Sequence, residues 1–462
     1  MIALINKPNR IFDRYLSCSS ISWEQARAIV IPLIAENLFT VLFGLLNTGM
    51  ISSSGVTSLS AVSLVDTLNS FLFVFYSGIA TGASVIIANY RGRNDKEQLH
   101  KSSVQSISAV TLFSIATTAF VIVFQTPLLQ LLFGSVEQDI MDKAKLYMLG
   151  GAITLPLCGF CSAVSGVLRG IGEGKTALII TILSSAIYVI LNIVFLKILD
   201  MGIPGLILSI TLQRLIQLVL SLVLIKQTNS KFTCKFKELL HLDIRIFKSI
   251  ANVGLPCAVE QLFFNGGRLV MQVIVAPMGT NAIVIYNIAY SIMHLNQAIA
   301  SPINSAMFTV VGMCLGNRST ADARLMTKRY VILNFFLYIV MFGLIMLCFP
   351  LLVRFYNAPA ETIDTIRICT IITGLAHPVL HSIGFTLPST FRAAGDGLYC
   401  TVSVLIIMWV VRVFGGLVLG TWCGWGVMGV WVAMVLDWVV RTVIFPIRFR
   451  GDKWLKHNIF AD

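Results

Sequence analysis

Two glutamates, Glu36 and Glu260, each follow a proline by four residues inside a long apolar stretch, in the octapeptides PLIAENLF (32–39) and PCAVEQLF (256–263). A charged side chain near the bilayer centre costs roughly 2.5–3.5 kcal/mol on insertion scales, so it needs a partner or a purpose. The proline removes a backbone donor and bends the helix, which leaves carbonyl groups free to help bind a cation. The pattern favours sites for H⁺ or a metal cation, and the alternative is a protonated glutamate bonded to a neighbouring helix.

The chain that carries these glutamates has the composition of an integral membrane protein. Of its 462 residues, 56% are hydrophobic and only 12% are charged, and the mean hydropathy is +0.85. A soluble chain of this length would expose far more charge. Apolar runs long enough to cross a ~30 Å hydrocarbon core recur throughout, and none alternates with period two, so we predict helices rather than a barrel. The twelve predicted spans are 26–51, 61–90, 102–126, 146–168, 176–200, 203–226, 250–277, 281–315, 330–355, 367–391, 398–422 and 425–447.

The net charge of +13 is distributed as in a membrane protein rather than as in a nucleic-acid-binding protein. Lysine and arginine are concentrated in alternate connections between the spans, and the intervening connections hold few. This positive-inside pattern places both termini in the cytoplasm. We therefore expect membrane lipid as a partner and no nucleic acid.

The two glutamates occupy matching positions of an internal repeat. The offset of this repeat is the separation of Glu36 and Glu260, 260 − 36 = 224 residues. Further matches at this repeat offset are Gly55 with Gly279, Gly92 with Gly316 and, with one residue lost, VLRGIGEGKTA (167–177) with TFRAAGDGLYC (390–400). Each copy contains six spans, and an even number returns each copy to the same side of the membrane. The predicted fold class is an all-α integral membrane protein with twelve transmembrane helices, arranged as two pseudo-symmetric six-helix bundles of like orientation around a central cleft.

Five regions follow from this division of the chain. They are a cytoplasmic N-terminal segment (1–25), an N-lobe with helices 1–6 (26–226), a cytoplasmic connector (227–248), a C-lobe with helices 7–12 (249–447) and a cytoplasmic tail (448–462). Two parallel six-helix lobes suit a transporter that exposes one site alternately to the two sides of the membrane. The motifs HExxH and GxSxG of membrane and serine hydrolases do not occur, so an enzyme is not expected, and a non-transport membrane protein is the weaker alternative.

Three segments carry a resemblance to a known family: LPCAVEQLF (255–263), MGTNAIVIYNIA (278–289) and LRGIGEGKTA (168–177). Over about residues 20–450 the chain resembles the multidrug and toxic compound extrusion (MATE) transporters. The resemblance implies a monomeric efflux antiporter of the bacterial inner membrane that exchanges organic, often cationic, small molecules for Na⁺ or H⁺ and needs no other cofactor. Flippases for lipid-linked precursors share the architecture and are the main alternative.

The family comparison also suggests coupling residues. One branch carries an aspartate–threonine pair late in the first helix, where this chain has Asn47 and Thr48, and a second aspartate four residues after Asn192, where this chain has Leu196. Another branch pairs a glutamate of the seventh helix with an aspartate of the tenth. Glu260 matches that glutamate, and the aspartate position falls near His381.

We therefore predict Glu260 and His381 as the coupling pair, with Na⁺ near Glu260 as the only metal considered. The further coupling candidates are Glu36, Asn47, Asn192 and Asp66. Asp66 lies within about two turns of the outer surface and can alternatively reach water. Asp437 precedes Arg441 by four residues, which indicates a structural ion pair.

Substrate-binding residues are expected on the eighth span, where polar and aromatic residues recur at helical spacing: Tyr286, Asn287, Tyr290, His294 and Gln297. Only Glu36, Asp66 and Glu260 could balance a positively charged substrate inside the membrane. On this basis the sequence weakly favours a cationic or zwitterionic substrate.

Overall fold

A computed structural model describes residues 15–52, 56–133, 138–227, 243–356 and 358–456. Over these ranges the chain is almost entirely helical, and the longer helices follow the predicted apolar runs. They are α1 (Trp23–Ser52), α2 (Val56–Gly92), α3 (Lys96–Phe133), α4 (Gln138–Ile153), α5 (Leu155–Gly170), α6 (Gly174–Asn192), α7 (Gly202–Gln227), α8 (Ile244–Val275), α9 (Thr280–Gln297), α10 (Ser301–Gly316), α11 (Thr320–Phe355), α12 (Ile363–Ala376), α13 (Ser382–Ala393), α14 (Gly397–Ile406) and α15 (Gly426–Arg450).

The described part of the chain contains nine helical spans that are long and apolar enough to cross a membrane. In one of them a π-helical segment (His377–His381) joins α12 and α13, and in another α14 continues to Trp422. Two bent pairs, α4 with α5 and α9 with α10, raise the number to eleven. Helix α8 is not among these eleven; its 32 residues extend about 48 Å at 1.5 Å per residue, which is long enough to cross, and it corresponds to the predicted span 250–277. The predicted all-α membrane fold is confirmed.

Two of the predicted spans are bent rather than straight. The axes of α4 and α5 differ by 49°, and those of α9 and α10 differ by 40°. Pro156 and Pro302 lie in the first turn of α5 and α10. Proline has no amide hydrogen to bond back to the preceding helix, so each helix ends before it and a new one begins with a different direction.

The internal repeat is visible in the backbone of the turns. Asn94 and Arg318, which match at the repeat offset, both have a φ of 58°, and Gly172 and Gly395 have φ values of 74° and 86°. These glycines lie in the two matched loops, where the left-handed conformation favours a residue without a side chain. At Gly172 an added Cβ would overlap Nη1 of Arg91, so the turn also has no space for one.

The described chain forms two compact units. The N-terminal unit comprises residues 35–258, and the C-terminal unit comprises residues 259–456 together with residues 15–34. The boundary between the two units therefore falls inside α1 and inside α8. In each helix it lies within two residues of the glutamate, Glu36 or Glu260. The predicted connector lies largely outside the described residues, and the predicted lobe boundaries stay a prediction.

The core of the C-terminal unit lies where α15 packs on α9 and α12. Trp431 and Trp438 are almost completely buried there, among side chains that include Tyr286 and Met293. The indole Nε1 of Trp431 donates a 3.0 Å hydrogen bond to the carbonyl of Cys369, which satisfies its one polar atom in an apolar environment. This rigid core supports the polar groups described below.

The segment before α1 is bound to the C-terminal unit chiefly by one carboxylate. Asp322, in the first turn of α11, accepts hydrogen bonds from the hydroxyls of Ser19 (2.5 Å) and Ser20 (2.6 Å) and from the backbone amide of Ser20 (3.0 Å). Asn317 in turn donates to the hydroxyl of Ser20 at 3.1 Å. The start of α1 is thereby fixed to residues 297 or more positions later in the sequence.

Candidate functional site

In the C-terminal unit, Glu260 forms an ion pair with Arg392. Glu260 lies on α8 one turn after Pro256, and Arg392 is the penultimate residue of α13. Nη2 of Arg392 donates to Oε2 of Glu260, and both side chains are largely buried. The arginine of the matched loop thus balances the charge of the glutamate.

In the N-terminal unit, Glu36 has the corresponding partner. Arg169, the penultimate residue of α5, donates to Oε1 of Glu36 at 2.6 Å. The hydroxyl of Thr181 on α6 donates to the same oxygen at 3.1 Å. The repeat therefore preserves the interaction of a first-helix glutamate with a loop arginine.

These two ion pairs change how the glutamates can act. Breaking a buried pair by removing one partner typically costs about 3–5 kcal/mol, because a charge is left uncompensated. A cation can therefore bind either carboxylate only if the arginine moves away or the balance of charge is otherwise restored. Glu260 and His381 share no direct hydrogen bond among the described residues, and their predicted roles in coupling stay a prediction.

His381 belongs instead to a buried polar network with His377. Both rings come from the π-helical segment between α12 and α13, in which residues 377 and 381 face the same side. Nδ1 of His381 lies 2.7 Å from the hydroxyl of Tyr338, and the Nε2 atoms of both rings lie 3.2 Å from the side-chain amide nitrogen of Gln297. Nδ1 of His377 lies 2.6 Å from the carbonyl of Thr373.

The partners determine the tautomers of the two rings. The carbonyl of Thr373 can only accept and lies closer to Nδ1 of His377 (2.6 Å) than the amide nitrogen of Asn296 does (3.3 Å), so we assign a hydrogen to this Nδ1, and Nε2 accepts one hydrogen of Gln297. The second hydrogen of Gln297 reaches Nε2 of His381, whose Nδ1–H donates to Tyr338. Both imidazoles are then neutral. A proton added to either Nε2 would face a donor, so it would require the amide of Gln297, the last residue of α9, to turn.

A second charged group lies next to these histidines. Nε of Arg441 donates a 2.9 Å hydrogen bond to Asp437 on α15, and Nη2 of Arg412 forms an ion pair with the same carboxylate at 3.0 Å; all three side chains are buried. The predicted pair of Asp437 with Arg441 is confirmed. Arg412 adds a second positive charge, so this triad carries a net positive charge inside the unit.

The polar and aromatic residues of α9 form one continuous row. The rings of Tyr286 and Tyr290 stack at 5.7 Å, and His294 meets Tyr290 edge-on at 4.7 Å. Asn287 and His294 are exposed, whereas the two tyrosines are buried. Arg268 of α8 places its guanidinium 4.7 Å from the ring centre of Tyr290. Four of the five predicted substrate residues therefore share this row, and Gln297 belongs to the histidine network.

The other candidates lie in the N-terminal unit. Asp66 is exposed and accepts a 3.1 Å hydrogen bond from the hydroxyl of Tyr147. Asn192 is buried at the end of α6. The side chain of Asn47 lies outside the described residues. Among the described residues there is no group of three or more histidine, cysteine, aspartate or glutamate side chains that could hold a metal ion.

Several partners were not predicted, namely Arg169, Arg392, Tyr338 and Arg412. The repeat holds a signal for the first two. A glutamate and an arginine recur together in the two copies at nearly the same offset, and a pair of opposite charges kept in both copies indicates contact. For Arg412 the signal is an arginine in the middle of a span, which needs an acidic partner.

The geometry of this repeat agrees with a known family model. The MatE model matches residues 32–194 and again residues 256–418, which are the two copies at the repeat offset. The chain belongs to the MatE family. It is thus a multi-pass membrane protein of the MATE transporters, and the expectation of a transporter rather than an enzyme is confirmed by this membership.

Relatives of this MATE protein extend over nearly the whole chain. An uncharacterized transporter of Bacillus subtilis, YisQ, is 23% identical over 456 residues, which is 97% of this chain and 96% of YisQ. A probable multidrug resistance protein of Thermotoga maritima, NorM, is 26% identical over 445 residues, covering 94% of this chain and 93% of NorM. Both matches span the two repeats.

Solved structures agree on the fold. The outward-facing conformation of a multidrug resistance MATE family transporter superposes with a TM-score of 0.86 and 19% sequence identity, over 98% of this chain and all of the other (100%). The MATE fold therefore accounts for the positions of the polar groups, and their chemistry has to be argued from this chain's own residues.

Proposed function

We propose that this MATE protein is a secondary active antiporter that exports amphipathic organic small molecules from the bacterial cytoplasm in exchange for Na⁺ or H⁺. It would act as a monomer in the inner membrane, in contact with lipid, with both termini in the cytoplasm. The family membership and the two-lobe repeat support this proposal, and no ATP is required. For the orientation, cysteine labelling should reach position 137 from outside and position 96 from the cytoplasm; the reverse result would contradict it.

The observation that carries the coupling mechanism is the ion pair of Glu260 with Arg392. Arg392 and a coupling cation cannot both neutralise Glu260 at full strength. When H⁺ or Na⁺ binds the carboxylate, Arg392 is released, and the end of α13 loses a fixed contact with α8. A cation that favours one arrangement and a substrate that favours the other then compete, which is the thermodynamic requirement for exchange.

The histidine network supplies a second point at which a proton can act. A proton on Nε2 of His381 requires the amide of Gln297 to turn, and Gln297 ends α9 directly before its 40° bend with α10. Protonation would therefore be transmitted to the bend between α9 and α10. In this proposal His381 assists Glu260 when the coupling ion is H⁺ and is dispensable when it is Na⁺.

The ion pairs of Glu36 and Glu260 with arginine argue against the cationic substrate that the sequence favours. Glu36 and Glu260 each have an arginine partner, so neither carboxylate is free to balance a positive ligand. Asp66 is the remaining acidic candidate, and it accepts a hydrogen bond from Tyr147. We therefore assign amphipathic character to the substrate without assigning a positive charge.

The test compares Glu260→Gln with its repeat mate Glu36→Gln in vesicles with an imposed Na⁺ or pH gradient. Glutamine keeps the volume and removes the charge that the cation must balance. We expect Glu260→Gln to abolish gradient-driven efflux and Glu36→Gln to reduce it less, with each rate normalised to the amount of folded protein, because each variant leaves an arginine without its counter-charge. Normal transport by Glu260→Gln under both gradients would contradict the coupling role.

The alternative of a flippase is separated by the same vesicles. An antiporter moves a soluble dye against its gradient when the ion gradient is imposed, whereas a flippase moves a labelled lipid between leaflets. Movement of the lipid alone would favour the flippase and overturn the proposed exporter.

A further inference from the structure

Arg268 is a membrane-helix arginine that has no carboxylate partner in the part of the chain that the structure describes. It lies on α8, and its side chain is exposed. Its guanidinium stacks on Tyr290, and no ion pair or hydrogen bond to it is found within the described ranges. By contrast Arg392, Arg412 and Arg441 of the same unit all contact a carboxylate.

Arg268 does not simply extend towards the nearer membrane surface. Its Cα lies seven residues before the end of α8, or about 10 Å from that end, whereas Tyr290 lies ten residues after the start of α9, or about 15 Å from the same side. The Cα–Cβ bond of a helical residue tilts towards the N-terminus of its helix. The ring of Tyr290 tilts back towards that surface by the same rule, so the guanidinium stays near the depth of its own Cα instead of reaching the surface, and snorkelling does not explain it.

The charges of the C-terminal unit leave this interior positive. The pair of Glu260 with Arg392 is neutral, but Asp437 serves two arginines, and Arg268 has no acid among the described residues. Together with the triad, Arg268 brings the surplus to two positive charges. Arg412 contributes to the same region, since its guanidinium lies 5.3 Å from the ring of Phe264, one helical turn before Arg268.

The first repeat lacks this arrangement. At the repeat offset, Gly44 corresponds to Arg268 and Asp66 corresponds to Tyr290. Neither the cation nor the aromatic ring below it is required by the fold, because the other copy does without both. A feature that is costly in a membrane and is dispensable for the fold indicates a ligand.

We propose that the row formed by Arg268, Tyr290, Asn287 and His294 binds the anionic group of the transported molecule, a carboxylate or phosphate attached to an aromatic or otherwise apolar body. This assignment rests on the proposed export function and names its substrate class. The guanidinium offers a planar set of donors that carboxylates and phosphates accept in pairs. Tyr286 and Tyr290 are buried, so their stacked rings support the guanidinium from behind rather than contact the ligand.

The neighbouring donors complete the site. The carbonyl oxygen of Asn287 accepts a 3.2 Å hydrogen bond from Gln272, which turns the amide nitrogen of Asn287 away from that contact and leaves it able to donate. His294 adds a ring nitrogen on the same exposed face, one turn beyond Tyr290. Within this described row the anion would meet hydrogen-bond donors and the positively charged guanidinium. No residue of the row is a carboxylate that would repel the anion.

The experiment measures binding of fluorescein, an aromatic carboxylate, and of ethidium, an aromatic cation, to the purified full-length protein in detergent. Wild type should bind fluorescein more tightly than ethidium. Arg268→Ala should weaken fluorescein binding about tenfold or more, as expected for lost charge-assisted hydrogen bonds, and Arg268→Lys should weaken it less. A size-exclusion profile checks that the variants are folded.

The matched control is Arg367→Ala. Arg367 also lies over an aromatic ring, that of Phe349 at 5.4 Å, but it has a carboxylate partner in Asp364 at 3.6 Å. Its removal should leave fluorescein binding unchanged. Equal fluorescein affinities of wild type and Arg268→Ala, or tighter binding of ethidium than of fluorescein by wild type, would overturn the assignment.

Two further arms separate this assignment from the proposed function. Glu260→Gln should still bind fluorescein in an Arg268-dependent way but fail to export it; binding that depends on Arg268 without any gradient-driven transport by wild type would contradict only the antiport. In vesicles, Arg268-dependent export of fluorescein identifies a soluble anion, and Arg268-dependent flipping of labelled phosphatidylglycerol identifies a lipid headgroup. Both results support the anion site, and movement of both probes independent of Arg268 contradicts it.

Discussion

The two units of this MATE protein agree in one polar interaction and differ in most of the others that the structure describes. Each pairs a first-helix glutamate with the arginine near the end of a later helix, Glu36 with Arg169 and Glu260 with Arg392. Beyond this pair, the C-terminal unit holds the histidine network, the aspartate with two arginines and Arg268. The N-terminal unit has instead an exposed aspartate bonded by a tyrosine.

The difference separates what the fold needs from what transport needs. An interaction kept in both copies after their sequences have diverged is one that the six-helix unit requires, at its first helix and its matched loop. Polar groups present in one copy are not requirements of the six-helix architecture, because the other copy forms the same helices without them, although they can stabilise the unit that holds them. The C-terminal unit is therefore the better place to search for substrate and ion chemistry.

The largest effect is expected for Asp437→Asn, which tests the buried charge of the C-terminal unit. The variant leaves Arg412 and Arg441 without a counter-charge, and we expect a loss of about 3–5 kcal/mol in the free energy of unfolding. Thermal unfolding in detergent measures it. The control, Asp66→Asn, should cost about 1 kcal/mol or less, because the amide oxygen still accepts from Tyr147. Equal losses in the two variants would contradict a structural role of the triad.

Replacing one tyrosine in each unit compares the histidine network of the C-terminal unit with the Tyr147–Asp66 hydrogen bond of the N-terminal unit. Tyr338→Phe removes the acceptor for the buried Nδ1–H of His381, so we expect a loss of about 1–3 kcal/mol in unfolding free energy. Tyr147→Phe leaves the exposed Asp66 open to water, and its loss should stay near about 1 kcal/mol. A smaller loss for Tyr338→Phe than for Tyr147→Phe would contradict a stabilising contact between Tyr338 and His381.

Removing the arginine from each ion pair tests whether the two units contribute equally to cation coupling. Arg392→Gln removes the group that competes with the coupling cation at Glu260, so the half-saturating cation concentration for transport should fall about tenfold, equivalent to about 1.4 kcal/mol. Arg169→Gln should change it little, since Glu36 is the lesser coupling candidate. Transport rates over a series of Na⁺ concentrations or pH values measure this. A similar shift in both variants would assign coupling to both units.

The smallest expected effect concerns a hydrogen bond of the N-terminal pair. Thr181 donates to Glu36 in addition to Arg169, whereas the repeat places Val404 at the matching position of the other copy. Thr181→Val should therefore cost about 0.5–1 kcal/mol in unfolding free energy. The isosteric reverse change, Val404→Thr, serves as the control and should gain no stability. An equal response of the two variants would show that the hydroxyl is not part of the pair.

Most of the fold was predictable because a membrane helix appears in the sequence as an apolar run of defined length. The apolar runs, the repeat and the glycines of the matched loops were all readable, and the i, i+4 contact of Asp437 with Arg441 follows from helix geometry alone. The bends at α5 and α10 were missed, although Pro156 and Pro302 were visible, because a proline inside an apolar run also allows a straight span.

The partners in the site were harder to predict because they come from distant helices. Glu260 and Arg392 are 132 positions apart, and His381 and Tyr338 are 43 apart, so no local period relates them. Hydropathy indicates that a buried charge needs a partner, but which one is selected depends on how the helices pack. The family resemblance pointed to Glu260 within its helix and gave no information on Arg392 as its partner.

The attachment of the N-terminal segment to Asp322 has a consequence for biosynthesis. Ser19 and Ser20 leave the ribosome among the first residues, and Asp322 follows about 300 residues later, which takes about 15–60 s at 5–20 residues per second. During that interval the start of α1 lacks the carboxylate that later holds it. Residues 15–34 can join the C-terminal unit only after that unit has been inserted, so the first part of the protein to be made is among the last to reach its final position.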